Sequence, residues 1–247
     1  MPPTDLPRHR LFLEADLVAG AAVPLAREQA NYLLNVLRLK TDDAVLVFNG
    51  RNGEWLAAIV AEGRKQASLN PVRQLRPQPA APDLHYLFAP LKHARLDYIA
   101  QKAVEMGAGV IQPVLTRRTQ VSRLNLDRLR ANAIEAAEQC GILCLPEIRP
   151  EAGLDEALAA LDPARLLVFC DEAAEQQSPL AALAGVAPCP LALLIGPEGG
   201  FDEAERQRIL ARPNTLRLSL GPRILRADTA AVAALALVQA ALGDWPR

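Results

Sequence analysis

Two continuous apolar runs in the second half of the chain constrain its fold more than any other feature. Arg165–Cys170 reads RLLVFC and Leu191–Ile195 reads LALLI, so neither run alternates apolar and polar residues. Unbroken apolar strands are typical of a parallel sheet that is covered on both faces. The later segment Ala227–Leu242 is apolar nearly all round, which is typical of a buried helix. Together with the strand and helix patterns that alternate from Leu84 onward, these runs predict a doubly wound α/β domain.

The remaining elements of this domain follow from periodicity and from helix start and stop signals. The predicted strands are Leu84–Ala89, Gly109–Leu115 and Leu216–Leu220, and the predicted helices are Ala94–Met106, Leu126–Cys140 and Asp202–Ala211.

The first quarter of the chain has a different pattern, with short strands separated by turns. Arg27–Leu37 has the apolar spacing of a helix. These features predict a small β-barrel with one helix across an opening, and its predicted strands are Arg10–Glu14, Ala44–Asn49 and Gly53–Val60.

A proline-rich segment separates the two parts. Four prolines between Asn70 and Asp83 exclude a helix and an interior strand there. The sequence therefore predicts domains at residues 1–76 and 84–247, joined by a linker at residues 77–83.

The net charge of −1 conceals an uneven distribution. Residues 92–130 contain eight Lys and Arg against three Asp and Glu, whereas residues 131–247 contain nine against sixteen. A basic middle beside an acidic remainder indicates a localised anionic partner, although a solvated helix face explains the same charges. Because only 4% of residues are aromatic, contacts to nucleic acid are expected to rely on basic and main-chain groups.

Other function classes find little support. The four cysteines form no CxxC pair, so buried thiols in a reducing compartment are expected rather than a metal site. The longest apolar stretch, Thr229–Leu242, is too short to span a bilayer and contains Gln239. The first twenty residues lack a signal-peptide pattern. We therefore expect a cytoplasmic protein without metal or membrane partners.

A glycine-rich turn follows the second apolar run. Leu193–Glu205 reads LLIGPEGGFDEAE, a strand followed by the turn Gly196–Gly200 and a helix. Ligands of open α/β sheets bind beyond the carboxyl ends of strands, where glycines let them approach the backbone. The turn lacks the GxGxxG and Walker patterns, and Asp202 and Glu203 oppose a phosphate at this helix start. We predict a ligand that is not gripped by phosphate; a tight turn without a ligand is the alternative.

A second turn lies in Leu216–Ala231, LRLSLGPRILRADTAA. Here Gly221 and Pro222 end a strand, and charged residues precede a buried helix. Unpaired charges are costly to bury, so these side chains need partners. Arg226 either pairs with Asp228 or Glu198, or binds an anionic nucleotide.

Together the two segments resemble the S-adenosylmethionine (SAM) site of the SPOUT methyltransferases. The most similar group is the bacterial small-subunit ribosomal RNA methyltransferase E family, which methylates N3 of a uridine in 16S rRNA. The family usually has Glu at the position of Asp228 and a basic residue at the position of Ile142. Further matching stretches extend the resemblance over nearly the whole chain: Arg10–Leu13, Asn35–Asp43, Leu91–Val121 and Ile134–Ile148.

The resemblance implies a SPOUT fold with a C-terminal trefoil knot, preceded by a PUA-like RNA-binding domain. It also implies a homodimer that acts on 16S rRNA within the small ribosomal subunit, with SAM held by main-chain groups of the two turns. The cofactor-binding residues expected are Leu194, Ile195, Gly196, Pro197, Gly199, Gly200, Leu218, Ser219, Leu220, Gly221, Ile224 and Leu225. The residues expected to contact RNA are Arg8, Arg10, Arg38, Lys40, Lys92, Arg95 and Lys102.

Three charged residues are candidates for catalysis. Glu198 and Asp228 are candidates for the base that takes the proton of uridine N3. Arg226 is the candidate for stabilising negative charge on the flanking carbonyl oxygens, although Glu198 could equally cap it. Two other classes are a non-catalytic RNA-binding protein, which the intact turns oppose, and a dehydrogenase. The latter requires GxGxxG after the first strand, where Pro90, Leu91 and Lys92 stand.

Overall fold

A computed structural model of the chain describes residues 6–63, 65–92, 94–121, 123–175 and 177–245. These residues form two compact units. The first unit combines residues 1–80 with 137–144, and the second combines 81–136 with 145–247. The domain boundaries expected from the sequence, 1–76 and 84–247 with a linker at 77–83, stay a prediction.

The first unit contains a five-stranded sheet of order β1-β3-β4-β5-β2, in which β1 and β3 are parallel and the other neighbours are antiparallel. Its core lies among alternate strand residues such as Val45, Val47, Ile59 and Leu69. The strands are β1 (Arg10–Phe12), β2 (Val23–Pro24), β3 (Ala44–Phe48), β4 (Glu54–Gly63) and β5 (Gln66–Arg76).

The helix predicted at Arg27–Leu37 is present but changes its type along its length. It begins as α1 (Arg27–Asn31) and continues as a π-helical turn, Tyr32–Val36. The amide of Leu37 donates to the carbonyl of Tyr32, which is the i to i−5 bond of that geometry.

The prediction that proline density excludes an interior strand after Asn70 is wrong. β5 runs through Pro71 to Arg76 between β4 and β2. Pro71 faces Ala57 where the register of β4 and β5 shifts, and β2 pairs only with Ser68 and Leu69. The missing N–H of Pro71 therefore lies outside the ladder to β2, where a strand tolerates proline.

The second unit is built on a seven-stranded sheet in which every pair is parallel. The strand order is β12-β10-β11-β6-β7-β8, with β9 also paired to β7. The strands are β6 (Leu84–Phe88), β7 (Val110–Leu115), β8 (Glu147–Ile148), β9 (Ala152–Gly153), β10 (Leu166–Cys170), β11 (Leu191–Ile195) and β12 (Thr215–Leu218). The helices are α2 (Ala94–Glu105), α3 (Leu126–Cys140), α4 (Leu154–Ala159), α5 (Pro179–Ala184), α6 (Glu203–Ala211) and α7 (Ala227–Leu242).

This architecture confirms the predicted α/β domain with a parallel sheet. All five residues of β11 are buried, and Leu167 and Phe169 of β10 pack with Leu194 and Ile209 in one cluster. Because the strands are parallel, the carboxyl ends of β10, β11 and β12 meet at one edge, which is where the two turns lie. The trefoil knot stays a prediction. No helix in the described ranges is long and apolar enough to cross a bilayer.

Candidate active site

A cavity of about 460 Å³ opens at the carboxyl ends of β10, β11 and β12. Most of its wall is formed by three separate segments of the chain, residues 170–173, 195–198 and 218–225. Gly200, Phe201 and residues of α6 and α7 complete it. The volume lies within the range usual for sites that bind small organic ligands.

The structure brings together ten of the twelve residues expected to bind a cofactor. The two that do not line the cavity are Leu194, which is fully buried within β11, and Gly199. The ten that line it are Ile195, Gly196, Pro197, Gly200, Leu218, Ser219, Leu220, Gly221, Ile224 and Leu225.

The first turn depends on two glycines. A Cβ atom on Gly196 would lie 2.5 Å from Cε2 of Phe201, whose ring packs edge-on against Phe169 at a centroid distance of 5.3 Å. Gly200 has a φ of +68° and donates its N–H to the carbonyl of Pro197 at 2.9 Å. Side chains are thus excluded at Gly196 and disfavoured at Gly200, which leaves the main chain as the surface that faces the cavity.

Gly199 lies against Arg118 on the outer side of the first turn. Nη1 of Arg118 donates to the Gly199 carbonyl oxygen at an N···O distance of 2.5 Å, and Cδ of Arg118 would lie 3.4 Å from a Cβ added at Gly199. The neighbouring Arg117 donates its main-chain N–H to buried Glu205 at 2.7 Å. Arg118 thus contacts the first turn and Arg117 contacts α6, which follows it. The sequence gave no signal for either contact.

The start of α6 is closed by its own acidic residues. Asp202 accepts a hydrogen bond from the Glu205 N–H at 2.7 Å, and Glu205 accepts one from the Asp202 N–H. The bond from the Glu205 N–H, together with Arg117, holds the pKa of Asp202 below its usual value. These carboxylates occupy the helix N-terminus, as the sequence indicated, so a ligand phosphate has no place there.

The third wall segment was missed by sequence analysis. Asp171 follows β10 and is buried, and its Oδ2 accepts hydrogen bonds from Nε of Arg206 and Nε of Arg217, both at 3.0 Å. The Asp171 N–H donates to the carbonyl of Leu218, and Arg217 donates to the carbonyl of Ala173. Asp171 thereby fastens this segment to α6 and β12. Its sequence, Asp-Glu-Ala, contains no glycine and resembles an ordinary surface acidic stretch.

The floor of the cavity contains a thiol. Cys170, the last residue of β10, lines the cavity, and burial raises the pKa of its thiol to about 12. The hydroxyl of Tyr86 on β6 is also buried, and its pKa is raised well above the usual value by that burial. Neither group is deprotonated at neutral pH.

The second turn contains an exposed apolar side chain. Gly221 has a φ of +100°, and its N–H points to Oγ of Ser219 at 3.4 Å. Ile224 lines the cavity and is nevertheless 91% exposed. A large apolar side chain in this position is expected to be covered by a ligand or a partner.

The three candidate catalytic residues do not form the pair that the sequence suggested. Arg226 caps the start of α7 without a side-chain bond, is exposed, and has no ion-pair partner among the described residues. Glu198 and Asp228 instead meet the guanidinium of Arg95, which contacts Oε1 of Glu198 and lies 3.8 Å from Oδ2 of Asp228. Glu198 lines the cavity.

The seven residues expected to contact RNA fall into two groups. Arg8, Arg38, Lys40 and Lys92 are exposed. The other three have acidic partners: Arg10 pairs with Glu54, Arg95 with Glu198 and Asp228, and Lys102 with Glu105.

Arg10 is better explained as a structural residue of the first unit. Its side chain is 8% exposed, and its Nε donates to Glu54 at 2.8 Å. It also donates to the carbonyls of Ala137, Glu138 and Ile142. Four of the five N–H donors of this guanidinium are used by internal acceptors, so the nearly buried side chain has little capacity left for phosphate. The contact with Ile142 uses the main chain, so it does not depend on which side chain that position carries.

The cysteines differ from the expectation of buried thiols. All four are free, Cys140 is exposed, and the others are partly buried. Within the described residues no group of three or more metal-ligating side chains occurs.

The comparisons with known proteins cover both units. A family model described as an RNA methyltransferase domain matches residues 76–239, and one described as an RNA methyltransferase PUA domain matches residues 25–72. The ribosomal RNA small subunit methyltransferase E of Rickettsia conorii is 31% identical over 94% of this chain and 95% of its own length. The enzyme of the same name from Synechocystis is 33% identical over 95% of this chain and 78% of its own length.

Solved structures agree with these sequence matches. The ribosomal RNA small subunit methyltransferase E of Neisseria gonorrhoeae, solved bound to SAM, aligns with a TM-score of 0.86 over 96% of this chain and 99% of that one, at 26% identity. A protein from Legionella pneumophila, solved with the bound cofactor SAM, aligns with a TM-score of 0.82 over 96% of this chain and 98% of that one, at 30% identity. The predicted PUA-like and SPOUT-type parts are therefore confirmed, and the chain belongs to the ribosomal RNA small subunit methyltransferase E family.

Proposed function

We propose that this protein transfers a methyl group from SAM to N3 of a uridine in 16S rRNA. The observation that carries this proposal is the cavity at the carboxyl edge of the sheet, which gathers residues from both glycine-containing turns. The names of the relatives, and the SAM bound in two of the similar structures, support the same conclusion.

The residues present fit SAM. Main-chain groups of the two turns face a cavity of suitable volume, and Gly196 and Gly200 keep it free of side chains. Acidic residues outnumber basic ones in its wall, which suits a ligand with a sulfonium and an ammonium group. The acidic residues are Asp171, Glu172, Glu198 and Glu203, and the basic ones are Arg206 and Arg223. When bound, SAM supplies a methyl group on a positively charged sulfur that leaves as a neutral thioether.

The chain's own part in the reaction is to bind, orient and take up a proton. Uridine N3 carries a proton at neutral pH and is a good nucleophile only without it. A carboxylate of Glu198 or Asp228 takes that proton, so the N3–H bond breaks as an O–H bond forms. A guanidinium stabilises the charge that develops on O2 and O4 of the base, and Arg226 remains a candidate for this role because it is exposed and unpaired among the described residues.

RNA binding is assigned to the exposed basic side chains of both units. Arg8, Arg38 and Lys40 belong to the first unit and Lys92 to the second. Contacts of this kind hold the phosphate backbone, while the target base leaves its stacked position to reach the cavity. Lys102 and Arg95 already pair with acidic neighbours, so they are less available for contact with phosphate.

We further propose that the protein acts as a homodimer on the assembled small ribosomal subunit in the cytoplasm. Exposed Ile224 at the cavity supports a partner near the site. Residues 1–76 are proposed as the RNA-binding domain and residues 84–247 as the methyltransferase domain, with a knotted C-terminal segment. Light scattering of the purified chain tests the dimer, and a monomer at micromolar concentration would contradict it.

The decisive test of the function is mass spectrometry of 16S rRNA. A strain that lacks this protein is expected to lose one methyluridine, which the restored gene returns. An unchanged methylation pattern would contradict the proposal.

A second measurement separates catalysis from mere RNA binding. Calorimetry with SAM is expected to show binding to the unmodified protein and to Asp228→Asn and Arg226→Ala, while methyl transfer by these variants falls. If SAM does not bind, the non-catalytic alternative is favoured; if both variants turn over normally, their catalytic assignment is wrong.

A further inference from the structure

Arg95 lies where three separate segments of the second unit meet. It is the second residue of α2. Its guanidinium contacts Glu198 in the turn after β11 through Nη1 and approaches Asp228 in the first turn of α7 through Nε. The two carboxylates are 30 residues apart in the sequence, and among the described residues Arg95 is the one cation that pairs with both.

The fold determines this meeting point. β6 and β11 are parallel neighbours, with Phe88 opposite Ile195, and the N–H of Ala89 donates to the Ile195 carbonyl at 3.0 Å. The segments that follow the two strands therefore leave the sheet side by side. The C-terminal ends of α2 and α7 are joined by Gln239, which donates to the carbonyl of Met106 at 2.7 Å. Arg95 is thus held next to both carboxylates by well-packed elements.

Stability does not explain the cluster. The side chains of Arg95 and Glu198 are 40% and 49% exposed, and ion pairs of that exposure contribute little to folding. Two carboxylates that contact the same guanidinium repel each other unless that cation lies between them. Holding the two carboxylates near each other therefore lowers the stability of the fold. Charged groups arranged in this way are typical of functional sites.

We propose that Arg95 is a positioning residue for methyl transfer, which holds Glu198 in the cavity wall next to Asp228, a residue outside the lining, so that one of the two carboxylates meets the N3 proton of the base. This inference rests on the proposed function and changes its details. It gives Arg95 the place beside the two carboxylates for which Arg226 was the first candidate, and it removes Arg95 from the residues that contact phosphate.

The test is a pair of double-mutant cycles in the full-length protein, with small ribosomal subunits from a strain lacking it as substrate. The variants are Arg95→Ala, Glu198→Gln, Asp228→Asn and the two doubles that contain Arg95→Ala. We expect Arg95→Ala to lower kcat roughly 10- to 100-fold, with KM for the subunit and the Kd for SAM nearly unchanged. In the background of the carboxylate that takes the proton, the same substitution is expected to lower kcat by less than about 3-fold.

Three further measurements separate positioning from other roles. Arg95→Lys keeps the positive charge and is expected to restore part of kcat. Arg208→Ala, which removes an exposed ion pair with Asp155 elsewhere in the unit, is the control and is expected to leave kcat unchanged. Thermal unfolding of Arg95→Ala is expected within about 2 °C of that control, as for other surface substitutions.

The outcomes are distinct. Additive losses in both carboxylate backgrounds, a rise in KM with kcat unchanged, or a large drop in Tm would each overturn the positioning role. If the unmodified protein fails to methylate the subunits, the proposed function fails and the inference fails with it; normal activity with additive cycles overturns the inference alone.

Discussion

At the scale of single residues, Gly196 controls the shape of the cavity. Its missing side chain leaves space for the ring of Phe201, which packs into the cluster that contains Phe169 and Leu194. Gly196→Ala would place a methyl group 2.5 Å from that ring, so the ring or the turn must shift. We expect a loss of about 1–3 kcal/mol in unfolding free energy and weaker SAM binding.

Gly185 is the matched control for this prediction. It has a φ of −85°, and a Cβ added there would meet nothing within 4 Å. Gly185→Ala is therefore expected to be neutral or to stabilise by about 0.4–1 kcal/mol through the unfolded state. Urea denaturation and calorimetry with SAM measure both variants, and equal effects of the two would contradict the steric argument.

Glu54 is a buried acid of the first unit that pairs with both Arg10 and Arg76. Burial alone would raise its pKa, but hydrogen bonds and charge from Arg76 and Arg10 outweigh it and hold the pKa below the ordinary value. The stabilisation is thus fully present above the unfolded-state pKa, near 4.3, and is lost as pH falls through the lower folded-state pKa. Glu54→Gln leaves buried Arg10 without its counter-charge, at an expected cost of about 3 kcal/mol at pH 7.

Urea denaturation at pH 7 and at pH 4 measures this pH dependence. The difference between Glu54→Gln and the unmodified protein is expected to shrink at the lower pH. Glu28→Gln, at an exposed position of α1, is the control and should differ little at either pH. A difference of the same size at both pH values would show that the carboxylate charge is not what Arg10 requires.

At the scale of elements, Gln239 joins two helices of the second unit. It is 3% exposed, its Nε2 donates to the Met106 carbonyl at 2.7 Å, and its Oε1 accepts from the Asp244 N–H at 3.0 Å. Gln239→Leu keeps the volume but leaves both main-chain groups without their partner, with an expected loss of about 1–3 kcal/mol. Gln207→Leu, at an exposed position of α6, is the control, expected within about 0.5 kcal/mol. Equal urea midpoints for the two variants would contradict the role.

The elements with a strong sequence signal were predicted well. β11, α3 and α7 have the bounds expected, because long apolar runs and a glycine after α3 and α7 define them. The missed elements of two to six residues carry too little periodicity to recognise, and they are β2, β8, β9, α4 and α5. β5 was not among the predicted strands, and the proline argument excluded a strand after Asn70, although the effect of Pro71 depends on strand pairing rather than on the residue itself.

The candidate site likewise contains parts that the sequence indicated and parts that only the fold brings together. Gly196, Gly200 and Gly221 mark two of its walls in the sequence, because the Phe201 ring leaves no space for a side chain at Gly196 and the positive φ angles of Gly200 and Gly221 favour glycine. The wall at Asp171 and the contacts of Arg95 arise from strand order, which brings distant segments together. No local pattern carries that information, so the sequence did not show that Glu198 and Asp228 contact Arg95 rather than Arg226.

At the scale of the whole molecule, the net charge of −1 means that attraction to RNA has to come from local basic surface. If the four exposed basic candidates each neutralise one phosphate, affinity is expected to fall roughly 50- to 150-fold between 50 and 200 mM salt. The double variant Arg38→Ala, Lys40→Ala should reduce the slope of log affinity against log salt by roughly 1.4–1.8. Filter binding measures this, with Arg208→Ala as control; an unchanged slope would remove both residues from the interface.

Cys170 lines the cavity and is therefore a second nucleophile beside the proposed cofactor. A methyl sulfonium alkylates sulfur nucleophiles readily, and in the proposed complex Cys170 lines the cavity that holds the sulfonium. Thiolates, not thiols, are the reactive form, and a pKa of about 12 leaves roughly one thiolate in 100 000 at pH 7. The raised pKa therefore keeps partly buried Cys170 in its thiol form, which is a poor acceptor for a methyl group.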